Sequence, residues 1–345
     1  MEVSSPVVAH LAALLARLFS GLGIAIGQNA AIMIALIVFF VILSIIVSAA
    51  SYLLGWVERK FIGRAQARHG PTYVGRFGFL QNLADLVKLL AKEFIVPDRA
   101  DRPLFQMVLP VVVAIEILVL VFIPMAPGFI GISTPIGMFA VFVLLSFSPL
   151  LLFLAGWTSG NKFGSISAQR SVVMMVSYEI PMFIVIASVA AVSGGFGFLS
   201  VVGSQAHLWN VVRMPIGFAV FFVALLAELE RGPFDLREAD IELISGWLTD
   251  VNAPYYALAL LLDYTRMFLG ALLISVMFLG GWLGLPLIPP IVTLLVKVAL
   301  VSLFIMLVRV TVVRMRIDRV IRLGWVYLTP LAALSLLLTF IIFVR

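Results

Sequence analysis

A series of long apolar runs restricts this chain most. Crossing the hydrocarbon core of a bilayer takes roughly 20 predominantly apolar residues, wound so that each backbone amide is paired inside its own helix. Eight runs meet that requirement, near residues 31–56, 104–126, 134–157, 171–194, 212–229, 254–282, 286–312 and 324–344. The expected fold is all-α: a polytopic membrane protein with eight transmembrane helices in one membrane domain, residues 31–345. Of its residues 63% are hydrophobic and 12% charged, against about 25% charged in a soluble domain. Residues 1–30 hold a further apolar stretch, broken by His10, Arg17 and glycines. It reads as an N-terminal interfacial helix.

Lysine and arginine set the orientation. Residues 57–103 carry nine of them, and the loops after the third, fifth and seventh spans add Lys162, Arg170, Arg231, Arg237, Arg314, Arg316, Arg319 and Arg322. The loops on the other side show Arg213 alone. The basic loops are expected in the cytoplasm and both termini outside, in the cell membrane. The net charge of +6 then reads as membrane topology, not as a nucleic-acid surface. With no cysteine and three scattered histidines (His10, His69 and His207), the chain offers no disulfide, no iron–sulfur ligand set and no metal motif. No glycine-rich phosphate loop or flavin site is visible.

Two loops exceed simple connectors. In the basic loop 57–103, Leu80, Leu83, Ala84, Val87, Leu90 and Ala91 recur at helical spacing beside Asp85, Lys88 and Lys92. This predicts an amphipathic helix over about 79–93, lying at the interface. The second loop, 228–253, opens on Glu228-Leu-Glu-Arg-Gly-Pro-Phe-Asp-Leu-Arg-Glu-Ala-Asp-Ile-Glu242, six carboxylates and two arginines in fifteen residues. Pro233 should end or kink the fifth span, and Asp235 with Glu238 resembles a capping box for a short helix. Glu238 and Glu242 repel at i, i+4, whereas Arg231 is in reach of Glu228. A hydrated acidic loop and a set of proton-exchanging carboxylates fit this count equally well.

Charge also enters the spans, as Glu116, Glu179, Asp263, Arg266 and Lys297. Ser177-Tyr-Glu-Ile-Pro181 places Glu179 next to a proline able to kink its helix and free a carbonyl. Asp263 and Arg266, at i, i+3, are spaced to neutralise each other. Together the buried acids outline a path for protons or cations from the acidic loop toward the bilayer midplane. A transporter site at the midplane is the competing class, but the spans show no internal repeat.

These motifs resemble those of the H subunit of NADH-quinone oxidoreductase, the membrane component at the heel of respiratory complex I. The resemblance rests on Trp56-Val-Glu-Arg-Lys60, Gln66-Ala-Arg68, Gly70-Pro71, Leu80 through Glu93, Gly156-Trp157 through Arg170, Ser177 through Pro181, and Glu228 through Asp235. It covers about residues 30–345. It implies a subunit that docks the hydrophilic-arm iron–sulfur subunits, adjoins small and antiporter-like membrane subunits and lipid, and lines a tunnel for a quinone. It further implies that Arg59, Arg68, Asp85 and Phe234 line or brace the quinone tunnel. Glu179, Glu228, Glu238, Asp240, Glu242 and Asp263 would form the proton-linked path, and Arg231 and Asp235 would hold the acidic loop. For Arg59 and Arg68, contact with lipid headgroups is the alternative. By this resemblance the chain is one component of a quinone-reducing, proton-translocating complex, not a catalyst alone.

Departures from the family pattern put the electron donor in doubt. Arg237 stands where a small residue is usual, Asp240, Asp250 and Asp263 are a methylene shorter than glutamate, and Glu116 and Arg266 match no family signature. A homologous membrane subunit of a proton-pumping hydrogenase is the second reading. The Gly75-Arg-Phe-Gly-Phe-Leu-Gln81 run favours the first, because the hydrogenase type usually has a shortened loop there.

Overall fold

In the computed structural model, residues 6–21, 27–237, 240–284 and 287–343 are described. Among these the architecture is all-α. The chain forms α1 (Pro6–Gly21), α2 (Gln28–Ala65), α3 (Gln81–Leu90), α4 (Arg102–Leu120), α5 (Gly137–Thr158) and α6 (Lys162–Ser193). There follow α7 (Phe198–Ser204), α8 (Asn210–Arg213), α9 (Pro215–Glu228), α10 (Asp240–Leu243), α11 (Ala253–Phe278) and α12 (Pro290–Thr311). The last are α13 (Ile317–Arg322) and α14 (Thr329–Phe343), joined through a π-helical turn at Leu323–Leu328 into one continuous 27-residue helix.

Seven of these helices are long and apolar enough to cross a membrane, so this is an integral membrane protein. The expected fifth span differs. Its α9 has 14 residues, about 21 Å at 1.5 Å per residue, against about 30 Å of hydrocarbon. Met214 explains the shortening: it leaves helical geometry just before Pro215 opens α9, and residues 210–213 form the separate helix α8. The helix expected over 79–93 is α3, shorter at both ends, because Leu80 is a non-helical N-cap and Ala91 closes the last turn.

The first long helix shows how such a bundle is assembled. Residues Ala31, Ala35, Phe39, Leu43, Val47, Ser51 and Gly55 are buried at strict four-residue spacing, while Met33, Ile37, Val41 and Ile45 on another face stay open. Lipid tails are as apolar as leucine, so contacts between helices draw on close packing and polar bonds more than on burial. One such contact lies between α6 and the π turn. Pro181 has no N–H to give the Ser177 carbonyl one turn back. A Cβ on Gly324 would sit 2.1 Å from that same oxygen, so only glycine lets the two backbones meet there. The expected kink does not interrupt α6, which continues through Pro181 to Ser193.

The loops sort to two ends. At one end the Asp101 amide donates to Thr158 O, the Met315 amide to Pro233 O, and Ser167 Oγ to Arg237 O. This gathers the four basic loops together. At the other end the Met138 amide donates to Phe196 O, Gln205 Nε2 donates to Val276 O, and Lys297 Nζ donates to the carbonyls of Leu279, Gly281 and Leu283 at 2.5–2.8 Å.

Candidate functional site: two cavities on either side of one helix

Among the described residues, two cavities lie at the charged end of the bundle, on either side of the first half of α11. The larger, about 440 Å³, is walled mainly by apolar side chains of α3 and α11, among them Leu86, Leu89, Leu258 and Leu261, with Ser48, Ser51 and Tyr52 of α2 beside them. Its polar edge is formed by Arg59 and Asp85. Arg59 Nη1 donates to Asp85 Oδ2 at 2.6 Å, and Gln81 Nε2 donates to Asp85 Oδ1 at 3.0 Å. Burial pushes the Asp85 carboxyl up, but the bonds from Arg59 and Gln81 outweigh it and leave it below its ordinary value. The pair is therefore a fixed dipole facing an apolar space. α3 supplies Asn82, Asp85, Leu86 and Leu89 from one face, at i, i+3, i+4, i+7, so a single helix face builds both the polar edge and part of the apolar wall.

The smaller cavity, about 180 Å³, is polar and lies against the acidic loop. Glu230, Arg231, Asp235, Arg237, Asp263 and Arg309 face it. Arg231 does not pair with Glu228. Its Nη1 donates to Glu58 Oε1 at 2.5 Å and its Nη2 to the Asp263 carbonyl at 3.4 Å. The reason is steric direction: α9 ends at Glu228, and the chain turns at Glu230, which adopts φ +48°, swinging Arg231 toward α2. Arg309 of α12 also pairs with Glu58. Glu58 is thus a buried anion shared by two arginines, tying α2, α12 and the acidic loop together.

Asp263 and Arg266 do not neutralise each other either. Arg266 points along the helix to Glu116 of α4, whose Oε1 accepts from Arg266 Nε at 3.0 Å and from Ser148 Oγ at 2.7 Å. Arg266 Nη2 donates to Ser148 Oγ at 2.6 Å, and Arg266 lies 3.8 Å from Glu230. Glu230 pairs more closely with Arg237, at 2.5 Å, and the Arg237 guanidinium covers the Trp247 ring at 4.7 Å. Asp263 is left facing the polar cavity. Burying unpaired charge costs several kcal/mol per ion, which explains why Glu58, Glu116 and Glu230 each have an arginine.

The remaining expected residues fall in different places. Glu228, at the end of α9, is buried, and its Oε2 has no hydrogen-bond partner among the described residues. The Tyr178 hydroxyl, also buried, is its neighbour. Glu179 is part-buried one residue further along α6, with an unpaired Oε1. Asp235 lines the polar cavity, where burial pushes its carboxyl above the ordinary range against the pull of Arg314, Arg309 and Arg237. Phe234 is buried in the core beside it. Glu242 of α10 is exposed and pairs with Arg170 at 2.6 Å. Arg68 is exposed beyond α2, where its Nε donates to Gln66 Oε1, and it does not line the apolar cavity. Glu238 lies outside the described residues; Asp240 opens α10. Sequence pattern does not single out Glu58, Glu230 and Arg309. Their signal is an excess of charge at span ends, which topology alone also explains.

Comparisons with known proteins identify the family. The family model for NADH dehydrogenase matches residues 10–340. The H subunit of NADH-quinone oxidoreductase from Dehalococcoides mccartyi is 36% identical over 304 residues, 88% of this chain and 86% of that protein. Its counterpart of the same name from Bacillus cytotoxicus is 36% identical over 314 residues, 88% of this chain and 94% of that protein. The H subunit of F(420)H(2) dehydrogenase from Methanosarcina acetivorans is 37% identical over 300 residues, 81% of this chain and 86% of that protein. Matched nearly end to end by the family model and by these relatives, this integral membrane protein belongs to the NADH dehydrogenase family, among the H subunits of NADH-quinone oxidoreductase-type complexes.

Proposed function

We propose that the chain is the membrane subunit of a complex I-like oxidoreductase that receives a quinone in the apolar cavity and couples its reduction to proton translocation. The observation that carries this reading is the Arg59–Asp85 pair on the edge of a 440 Å³ apolar cavity. A quinone tail needs an apolar space and its head a few directed polar groups. Reduction of a quinone to a quinol takes up two electrons and two protons. The electrons come from iron–sulfur subunits of the hydrophilic arm, docked on the charged end. The carboxylates across α11 supply protons or respond to the charge change, with Glu228, Asp263 and Glu179 as the relay and the acidic loop as its entrance. Small and antiporter-like membrane subunits carry the response onward. In this reading α9 is the eighth, short span, α1 and α3 lie at the interface, the basic end faces the cytoplasm, both termini face outward, and the host is the cell membrane.

Relatives named for NADH and for F(420)H(2) match at 36–37% identity, so similarity does not choose the electron donor. Exposed Arg68 fits lipid or partner contact better than the quinone tunnel. The reading is tested in the assembled complex. Arg59→Ala is expected to raise the apparent KM for decylubiquinone about tenfold, and Glu228→Gln to lower the protons moved per electron. An unchanged KM in assembled Arg59→Ala, or a normal proton ratio in Glu228→Gln, removes that residue from its assigned role.

A further inference from the structure

The two cavities share part of their lining. Pro254, Ala257, Leu258 and Leu261 of α11 face the apolar cavity, at the i, i+3, i+4, i+7 spacing of one helix face. Tyr256, Ala259 and Asp263 face the polar one, again at i, i+3, i+7. Leu260 and Tyr264, four residues apart on the seam, line both.

Tyr264 is held from both sides. On the apolar side its ring lies against Gly55 of α2. A Cβ there would come within 3.1 Å of the ring and 3.0 Å of Asn82 Nδ2, so the absence of a side chain at 55 is what admits the ring. On the polar side the Arg231 guanidinium covers the ring at 5.2 Å from its centroid. That same guanidinium is bonded to Glu58 and to the Asp263 carbonyl. A cation over an aromatic face is attracted by the ring, more strongly where water is excluded. A shift of the ring therefore moves Arg231 and, with it, the pairing of Glu58 and the backbone beside Asp263.

We propose that Tyr264 is the partition between the two cavities: a positioning residue whose ring keeps the apolar cavity closed to the water and charge of the polar one, and transmits its occupancy to Arg231. The proposal rests on the reading of the apolar cavity as the quinone site. Tyr264 is not assigned any proton of the reaction.

The test uses the assembled complex in proteoliposomes, with decylubiquinone as acceptor and protons moved per electron as readout. Tyr264→Ala is expected to lower that ratio at least twofold, because the two cavities then join, and Tyr264→Phe, which keeps the ring, to restore it. Should the alanine variant fail to assemble, Tyr264→Leu serves, since it also removes the ring. A wild-type ratio in assembled Tyr264→Ala or Tyr264→Leu overturns the proposal. So does a Tyr264→Phe variant as uncoupled as the alanine one, which would place the role in the hydroxyl. Ala257→Trp, filling the apolar cavity from another wall, separates the two claims. A raised KM for decylubiquinone there together with normal coupling in Tyr264→Ala defeats the partition alone. An unchanged KM in Ala257→Trp defeats the quinone-site reading itself.

Discussion

Two buried cations at opposite ends of the bundle are held in different ways. Arg231, at the charged end, rests on a carboxylate, Glu58, which also binds Arg309. Lys297, at the other end, rests on three backbone carbonyls at the end of α11 and covers the Trp209 ring at 4.6 Å. Carbonyls do not titrate. A cation fixed by them closes a helix terminus, as basic groups near C-termini do. A cation fixed by a carboxylate belongs to a set whose charge can change. The difference separates a cation whose partners cannot titrate from one whose partner can; in the sequence the first reads as charge inside a span and the second as part of the acidic loop.

The comparison breaks most readily at Glu58. Glu58→Ala leaves Arg231 buried without its anion, and removing one partner of a buried pair costs about 3–5 kcal/mol. The expected outcome is loss of assembled protein at 37 °C, seen as a missing band on a native gel, with Glu58→Gln intermediate. Lys297→Met should cost less, about 1–3 kcal/mol for carbonyls left without a donor. It should lower the thermal midpoint in detergent while the protons moved per electron stay normal. A changed proton ratio there would erase the distinction between the two ends. The smallest effect concerns Arg170 and Glu242. The hydrogen bond and charge of Arg170 hold the Glu242 carboxyl below its ordinary value, so the contribution is complete above the unfolded value of about 4.3. It is lost as pH falls through the lowered folded value. The stability difference between wild type and Glu242→Gln should therefore be slight at pH 7, start to shrink below the unfolded value of about 4.3, and vanish once pH is under the lowered folded value.

The membrane class, the two-ended sorting of the loops and the helix near residue 80 were legible because each depends on local pattern: apolar length, basic bias and helical spacing. Partner choice was not. Arg231 and Glu228 are three residues apart, as are Asp263 and Arg266, yet each arginine reaches a carboxylate on another helix, Glu58 or Glu116. In a helix bundle, side-chain direction and the turn after α9 outrank proximity along the chain. The shared wall at Tyr264 was invisible for a related reason. A seam exists only once two other elements have taken the faces beside it. The length of α9 was misjudged because hydropathy does not register the break at Met214 that separates α8 from it.

The buried stripe of α2 has one more consequence. Four residues advance a helix by about 400°, so a stripe repeating every four residues winds about 40° around the axis at each step. From Ala31 to Gly55 it runs like the thread of a screw, meeting different neighbours as it goes. A smooth rod could turn in place; a threaded one cannot turn without also advancing. Glu58 and Arg59 thus stand at the charged end of a helix whose buried stripe engages several neighbours in turn.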